Sequence, residues 1–94
     1  MKKKEVNDLV YVGVSDITNY VSACFVALSQ HDEIQLIARG NYVKKALDVL
    51  AIMIREYLDD SDYRIEVDSE FFEKRFVTTI NIKLSGKKRV KKEE

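Results

Sequence analysis

The stretch Glu33-Ile34-Gln35-Leu36-Ile37-Ala38-Arg39-Gly40-Asn41 decides the fold. Ile34, Leu36 and Ala38 fall on one face and Ile37 on the other, a period of two that predicts a strand over 33–39. Gly40-Asn41 then turns the chain, and Asn41 is placed to cap the following helix by accepting a hydrogen bond from a first-turn amide. Val43, Ala46, Leu47, Leu50, Ile54, Tyr57 and Leu58 recur at helical spacing, which predicts one helix through 42–58. Val49, Ile52 and Met53 form a second apolar stripe. A helix apolar over more than half its circumference calls for a second contact, so these three residues are expected at a dimer interface.

Upstream, Leu9-Val10-Tyr11-Val12-Gly13-Val14 is rich in β-branched and aromatic residues and reads as a buried strand. Ser15-Asp16 offers a helix N-cap, and Ile17, Tyr20, Val21, Cys24, Phe25 and Leu28 mark an amphipathic helix over 16–30. Downstream, Asp59-Asp60-Ser61-Asp62 ends the second helix. Tyr63, Ile65 and Val67, then Phe76, Thr78, Ile80, Ile82 and Leu84, alternate as two strands of a short hairpin joined by Ser69 to Lys74. Gly86 and the basic run after it are expected to end the ordered chain. The order β-α-β-α-β-β implies a parallel first pair with a right-handed crossover, then an antiparallel hairpin. The expected architecture is an α/β two-layer sandwich, a mixed four-stranded sheet with two helices on one face. One domain over 8–86 is expected, between a basic N-terminal tail at 1–7 and a charged C-terminal tail at 87–94.

Ninety-four residues with 46% apolar and 34% charged side chains suit one small globular domain with a thin core. The apolar runs are too short for a membrane span and no secretory leader is recognisable, so a cytoplasmic protein without membrane contact is expected. One cysteine and one histidine exclude an internal disulfide and a His/Cys metal site within one chain. The formal net charge of zero conceals an uneven distribution. The span 5–86 holds eight basic and fourteen acidic residues, whereas Lys2, Lys3, Lys4, Lys87, Lys88, Arg89, Lys91 and Lys92 crowd the ends. Basic ends suit nucleic acid or an acidic partner, or serve solubility.

Little in the sequence is catalytic. His31 beside Asp32 and Glu33 reads as a solvated turn histidine, because no nucleophile is placed near it. Cys24 sits on an apolar helix face and reads as a small buried hydrophobe. Asp59, Asp60 and Asp62 lack the glycine and distal glutamate of a calcium loop. No metal, cofactor or enzymatic activity is expected. The second turn carries more chemistry: Arg39, Lys44 and Lys45 surround a helix N-terminus, where lysines oppose the helix dipole and suit a phosphate instead. Phe71 and Phe72 are adjacent, so they point to opposite faces of a strand. At least one is expected to be exposed beside Lys74 and Arg75, where it can stack on an unpaired base.

Four stretches resemble the Alba family of small archaeal nucleic-acid-binding proteins. Leu9 to Gly13 followed by Thr18-Asn19-Tyr20-Val21 is similar to the family's opening strand, glycine and "NYV" helix start. Glu33 to Gly40 is similar to its "EI-x-I-x-ARG" strand and turn, and Lys45-Ala46-Leu47-Asp48-Val49 to its "KAVD" helix. Thr79-Ile80-Asn81-Ile82 is similar to its "STIEI" last strand. The resemblance implies a fold shared with the C-terminal domain of translation initiation factor three. It also implies a dimer and chromosome-associated binding of DNA or RNA through backbone phosphates without strong sequence specificity. With the turn and hairpin readings above, it points to Ser15, Arg39, Asn41, Lys44, Lys45, Phe71, Phe72, Lys74 and Arg75 as the nucleic-acid contacts. The chain departs from the family at its first turn, where Gly13-Val14-Ser15-Asp16 replaces a "GKKP"-like run. Two cations are lost there and an acid is gained. An RNA role fits this better than stand-alone chromatin packing; a homodimer is expected, with a heterodimer with a more basic paralogue as the alternative pairing. The alternative is a protein-interaction subunit of the same fold with weak nucleic-acid affinity.

Overall fold

A computed structural model describes residues 7–88. Lys2, Lys3, Lys4, Arg89, Lys91 and Lys92, the bulk of both basic ends, lie outside the described residues. The elements run β1 (Leu9–Tyr11), α1 (Ile17–Gln30), β2 (Glu33–Arg39), a 3-10 turn (Gly40–Tyr42), α2 (Val43–Ile52), a π-helical turn (Met53–Tyr57), β3 (Leu58–Phe72) and β4 (Arg75–Lys88). The sheet order is β1-β2-β4-β3, with β1 parallel to β2 and the other two pairings antiparallel. This is the mixed four-stranded sheet that the alternation and helical spacings imply.

One sheet face makes the core. Val10 on β1, Ile34, Leu36 and Ala38 on β2, and Ile80, Ile82 and Leu84 on β4 are buried. Both helices lie over β2 and β4 on that face. From α1 come Val21, Cys24 and Ala27, every third residue; from α2 and the turn after it come Ala46, Val49, Leu50 and Met53. The latter set, at i, i+3, i+4 and i+7, is the stripe of α2 that faces the sheet. Val49 and Met53 are fully buried in the chain's own core, which corrects the expectation of a dimer contact through them; Ile52 is half-buried against that core. Leu47 is the exposed residue of α2's apolar set. In a helix apolar nearly all round, two overlapping stripes fit the spacing equally well, and only the docked sheet selects between them.

Other expectations are also corrected. The first strand stops at Tyr11, and Val14 is exposed. Asp16 holds the N-cap position of α1 without a side-chain cap bond. Asn41 does not cap α2, because the 3-10 turn inserts Tyr42 at that position. The helical run of 42–58 widens into the π turn, and Tyr57 there packs edge-on against Phe25 of α1 at 5.7 Å. The hairpin is long: 15 and 14 residues of strand meet in a two-residue turn, Glu73-Lys74, with φ of 48° and 69°. Two positive φ values make this the turn type whose twist matches a hairpin.

Gly86 does not end the ordered chain. It lies within β4 opposite a bulge at Asp60 and Ser61, where an added Cβ would stand 3.1 Å from Ser61 Cα. Lys87 and Lys88 belong to β4 rather than to a tail, and Lys88 lies 3.9 Å from the centroid of the Phe25 ring with Ser29 Oγ as its hydrogen-bond partner. Among the described residues, no helix is long and apolar enough to cross a membrane.

Candidate nucleic-acid interface

Because β1 and β2 run parallel, the two strand-to-helix turns emerge at the same end of the sheet. Arg39, the last residue of β2, stands opposite Thr79 of β4. Residues 69–78 therefore run past the end of β2 as a two-stranded arm from that same end. Both turns and the arm form one continuous region.

The first turn is closed on itself. Tyr20 Oη accepts the amides of Gly13 at 2.8 Å and Ser15 at 3.0 Å. Lys45 Nζ, reaching from α2, donates to the carbonyls of Gly13 at 2.7 Å and Ser15 at 2.8 Å. Its ammonium also lies 5.9 Å from the centroid of the Tyr20 ring and 5.4 Å from that of Tyr42. Desolvation pushes the Tyr20 hydroxyl up, but the Ser15 and Gly13 hydrogen bonds together with the Lys45 charge outweigh it, and the net shift is below the ordinary 10.0. Lys45 is thus a brace between α2 and the first turn, and the backbone amide and carbonyl of Ser15 belong to the same network while the residue itself is exposed.

The second turn is open. Gly40 adopts a φ of +59°, which glycine accepts without strain. Gly40 and Asn41 face Arg75, Phe76, Val77 and Thr78 across a groove at the root of the arm. Lys44 projects outward, 86% of its side chain exposed, with one i,i+4 ion pair to Asp48 at 3.1 Å. Arg39 pairs with Glu70 at 3.4 Å and lies 5.2 Å from the Phe72 ring centroid. On the arm, Phe71 and Phe76 stand opposite each other and stack edge-to-face at 5.1 Å, both exposed, with Phe72 also exposed. Lys74 sits in the turn at the tip.

The structure therefore brings Asn41 and Arg75 into one groove and places Arg39, Lys44 and Phe72 around the same end. Lys45 and the exposed Ser15 lie apart from that groove, at the first turn. Sequence reasoning missed Tyr20, whose only signal is its place in the "NYV" segment. It missed Phe76 as an exposed ring, because strand alternation alone put it with the core. Glu70 carries no local signal at all, since it meets Arg39 across an intervening strand. Cys24 is fully buried and its thiol is pushed up to about 12 by desolvation, which suits a packing role. No metal-binding group of three or more His, Cys, Asp or Glu side chains occurs among the described residues.

The Alba family profile matches residues 8–67, from β1 through both helices into β3. The chain belongs to the Alba family. It is 42% identical over 43 residues to the DNA/RNA-binding protein Alba 2 of Methanopyrus kandleri, an alignment that covers 45% of this chain and about half, 46%, of that protein. Alba from Thermoplasma volcanium superposes with a TM-score of 0.68 at 28% identity, over 82% of this chain and 98% of the other. ALBA1 from Trypanosoma brucei superposes with a TM-score of 0.75 at 16% identity, over 89% of this chain and 73% of that one, and shares the fold. These likenesses agree with the β-α-β-α-β-β order and with the strand–ARG–helix stretch at 33–49.

Proposed function

We propose that this Alba protein is a non-enzymatic binder of DNA or RNA that grips backbone phosphates, without strong sequence specificity, through the second turn and the arm. The observation that carries the reading is the groove in which Gly40 and Asn41 face Arg75 to Thr78, with exposed Arg39 and Lys44 on the same end of the sheet. Guanidinium groups fork to phosphate oxygens, and the carboxamide of Asn41 and the backbone of the turn add neutral contacts. The exposed rings of Phe71, Phe72 and Phe76 add stacking surface for unpaired bases, so single-stranded RNA is a fitting substrate beside duplex DNA.

The protein acts as a homodimer in this reading. The helices stop short of β3, an edge strand, and leave Tyr63, Ile65 and Val67 exposed in a row on the helix side of the sheet. That strip replaces the buried Val49 and Met53 as the surface for a second copy. A weaker-binding variant of the reading, in which a more basic paralogue takes the place of the second copy, draws support from the closed first turn.

Fluorescence-anisotropy titration of a duplex DNA and an unstructured RNA at two salt concentrations tests the proposal. Binding is expected to weaken with salt by a slope of about 0.9 per phosphate contact on duplex DNA. Asn41→Ala, Lys44→Ala and Arg75→Ala are each expected to lower affinity several-fold with unchanged circular dichroism. Unchanged affinity in all three overturns the site. Val67→Asp is expected to convert a dimer to a monomer in analytical ultracentrifugation, and an unchanged assembly overturns the strip.

A further inference from the structure

The sheet order puts β4 between β2 and β3, so Arg39 and Glu70 are not paired neighbours, but the register sets Glu70 one same-face step beyond Asp68, which lies level with Arg39 across β4. They meet by reaching across β4, two strand spacings of about 4.8 Å each. Arg39 Nη2 lies 3.4 Å from Glu70 Oε1, and the guanidinium lies over the ring of Phe72. Glu70 and Phe72 are two residues apart on β3, so both present to the same sheet face, the one opposite the helices. Arg39 is also where β2 ends. Beyond it the arm continues as a two-stranded ribbon, so the contact ties the root of the arm to the body.

We propose that Glu70 is a built-in competitor for phosphate at Arg39, an autoinhibitory latch that nucleic acid must displace. The inference rests on the reading of Arg39 as a phosphate contact. A carboxylate and a phosphate offer a guanidinium the same pair of oxygen acceptors, so the two exclude each other on one fork. The pair is half exposed on both sides, which makes it weak enough to be exchanged. Exchange has a second consequence. With Glu70 released, the arm loses its tie to β2, and the ring of Phe72 is uncovered on the sheet face opposite the one that carries Phe71 and Phe76. The latch therefore opposes weak, single contacts and yields where several phosphates and bases engage the end of the sheet together.

The test uses the full chain with four variants: Glu70→Gln, Arg39→Ala, the double variant, and Asp68→Asn. Asp68 lies on the same face two residues away and controls for loss of one negative charge. Glu70→Gln is expected to bind a duplex DNA and an unstructured RNA about two- to five-fold more tightly, the worth of an exposed ion pair, and Asp68→Asn distinctly less so. Equal gains in Glu70→Gln and Asp68→Asn overturn the latch, as does a Glu70→Gln gain that persists undiminished in the Arg39→Ala background. The step from Glu70→Gln to the double variant measures the phosphate contact with the latch already open. A loss of affinity there supports Arg39 as a contact. No loss there overturns that reading itself, whereas a loss there with no gain from Glu70→Gln alone overturns only the latch.

Discussion

Residues 13–16 and residues 40–42 each carry the chain from a strand into a helix at the same end of the sheet, and each begins with a glycine. In the first turn a tyrosine hydroxyl accepts two amides and a lysine serves two carbonyls, so the backbone is satisfied from within. In the second, a left-handed glycine makes the bend and the side chains around it point outward to a groove. Lys44 and Lys45 show the difference most sharply. They are neighbours in sequence and chemically identical, yet one is almost wholly exposed and the other is bonded to two carbonyls of the first turn. Successive residues of a helix point about 100° apart, and that angle separates an exposed cation from a structural brace. A lysine near a helix N-terminus is therefore not by itself a phosphate contact.

The largest expected effect breaks the closed turn. Lys45→Met leaves the Gly13 and Ser15 carbonyls without their charged donor and is expected to cost about 2–3 kcal/mol in urea unfolding. Lys44→Ala is expected to stay within about 0.5 kcal/mol of the parent while losing affinity. Equal stabilities for the two variants would erase the distinction drawn between the turns.

Gly40→Ala comes next. The Cβ would find ordinary van der Waals room, 3.7 Å from Val77 Cγ1, so the cost is backbone strain at φ +59° and not a clash. About 1–2 kcal/mol is expected, with less for Gly40→Asn, which tolerates this conformation. A cost for asparagine equal to that for alanine would point to crowding instead.

A gain of function sharpens the comparison from the other side. Val14 is exposed, and Val14→Lys with Asp16→Asn is expected to raise duplex affinity several-fold. It should steepen the salt slope by about 0.9 for each new phosphate contact. No change in slope would mean that nucleic acid bypasses the first turn.

The smallest effect is spectroscopic. Among the five tyrosines, Tyr20 is expected to ionise before the ordinary 10.0 as pH rises, seen as an early step in ultraviolet absorbance that Tyr20→Phe removes. The folded state favours the ionised form. Tyr20 therefore adds stability that is fully present only above the unfolded value, and that contribution is lost as pH falls through the lowered folded value.

Strand-turn-helix order was readable because periods of two and of 3.6 are local properties of the chain. Glu33 to Arg39 matches the observed β2 residue for residue, and the alternation from Phe76 to Leu84 fixes the register face of β4. The arm was read as short because charges and aromatics between Ser69 and Lys74 resemble a loop. Cross-strand pairing such as Phe71 with Phe76 holds them in strand instead.

The sequence by itself determined the elements, their order, the acidic body and the presence of Arg39, Lys44, Phe71 and Arg75 as candidates. Only the tertiary structure decided which of them share a surface. Lys45 went inward because its reach meets Gly13 and Ser15, 32 and 30 residues away. Val49 and Met53 went into the core because the sheet took that stripe of α2, and Arg39 met Glu70 because the strand register sets Asp68 level with Arg39 across β4 and Glu70 two residues along on the same face. Each of these is a contact between residues distant in sequence, and local periodicity carries no information about such partners.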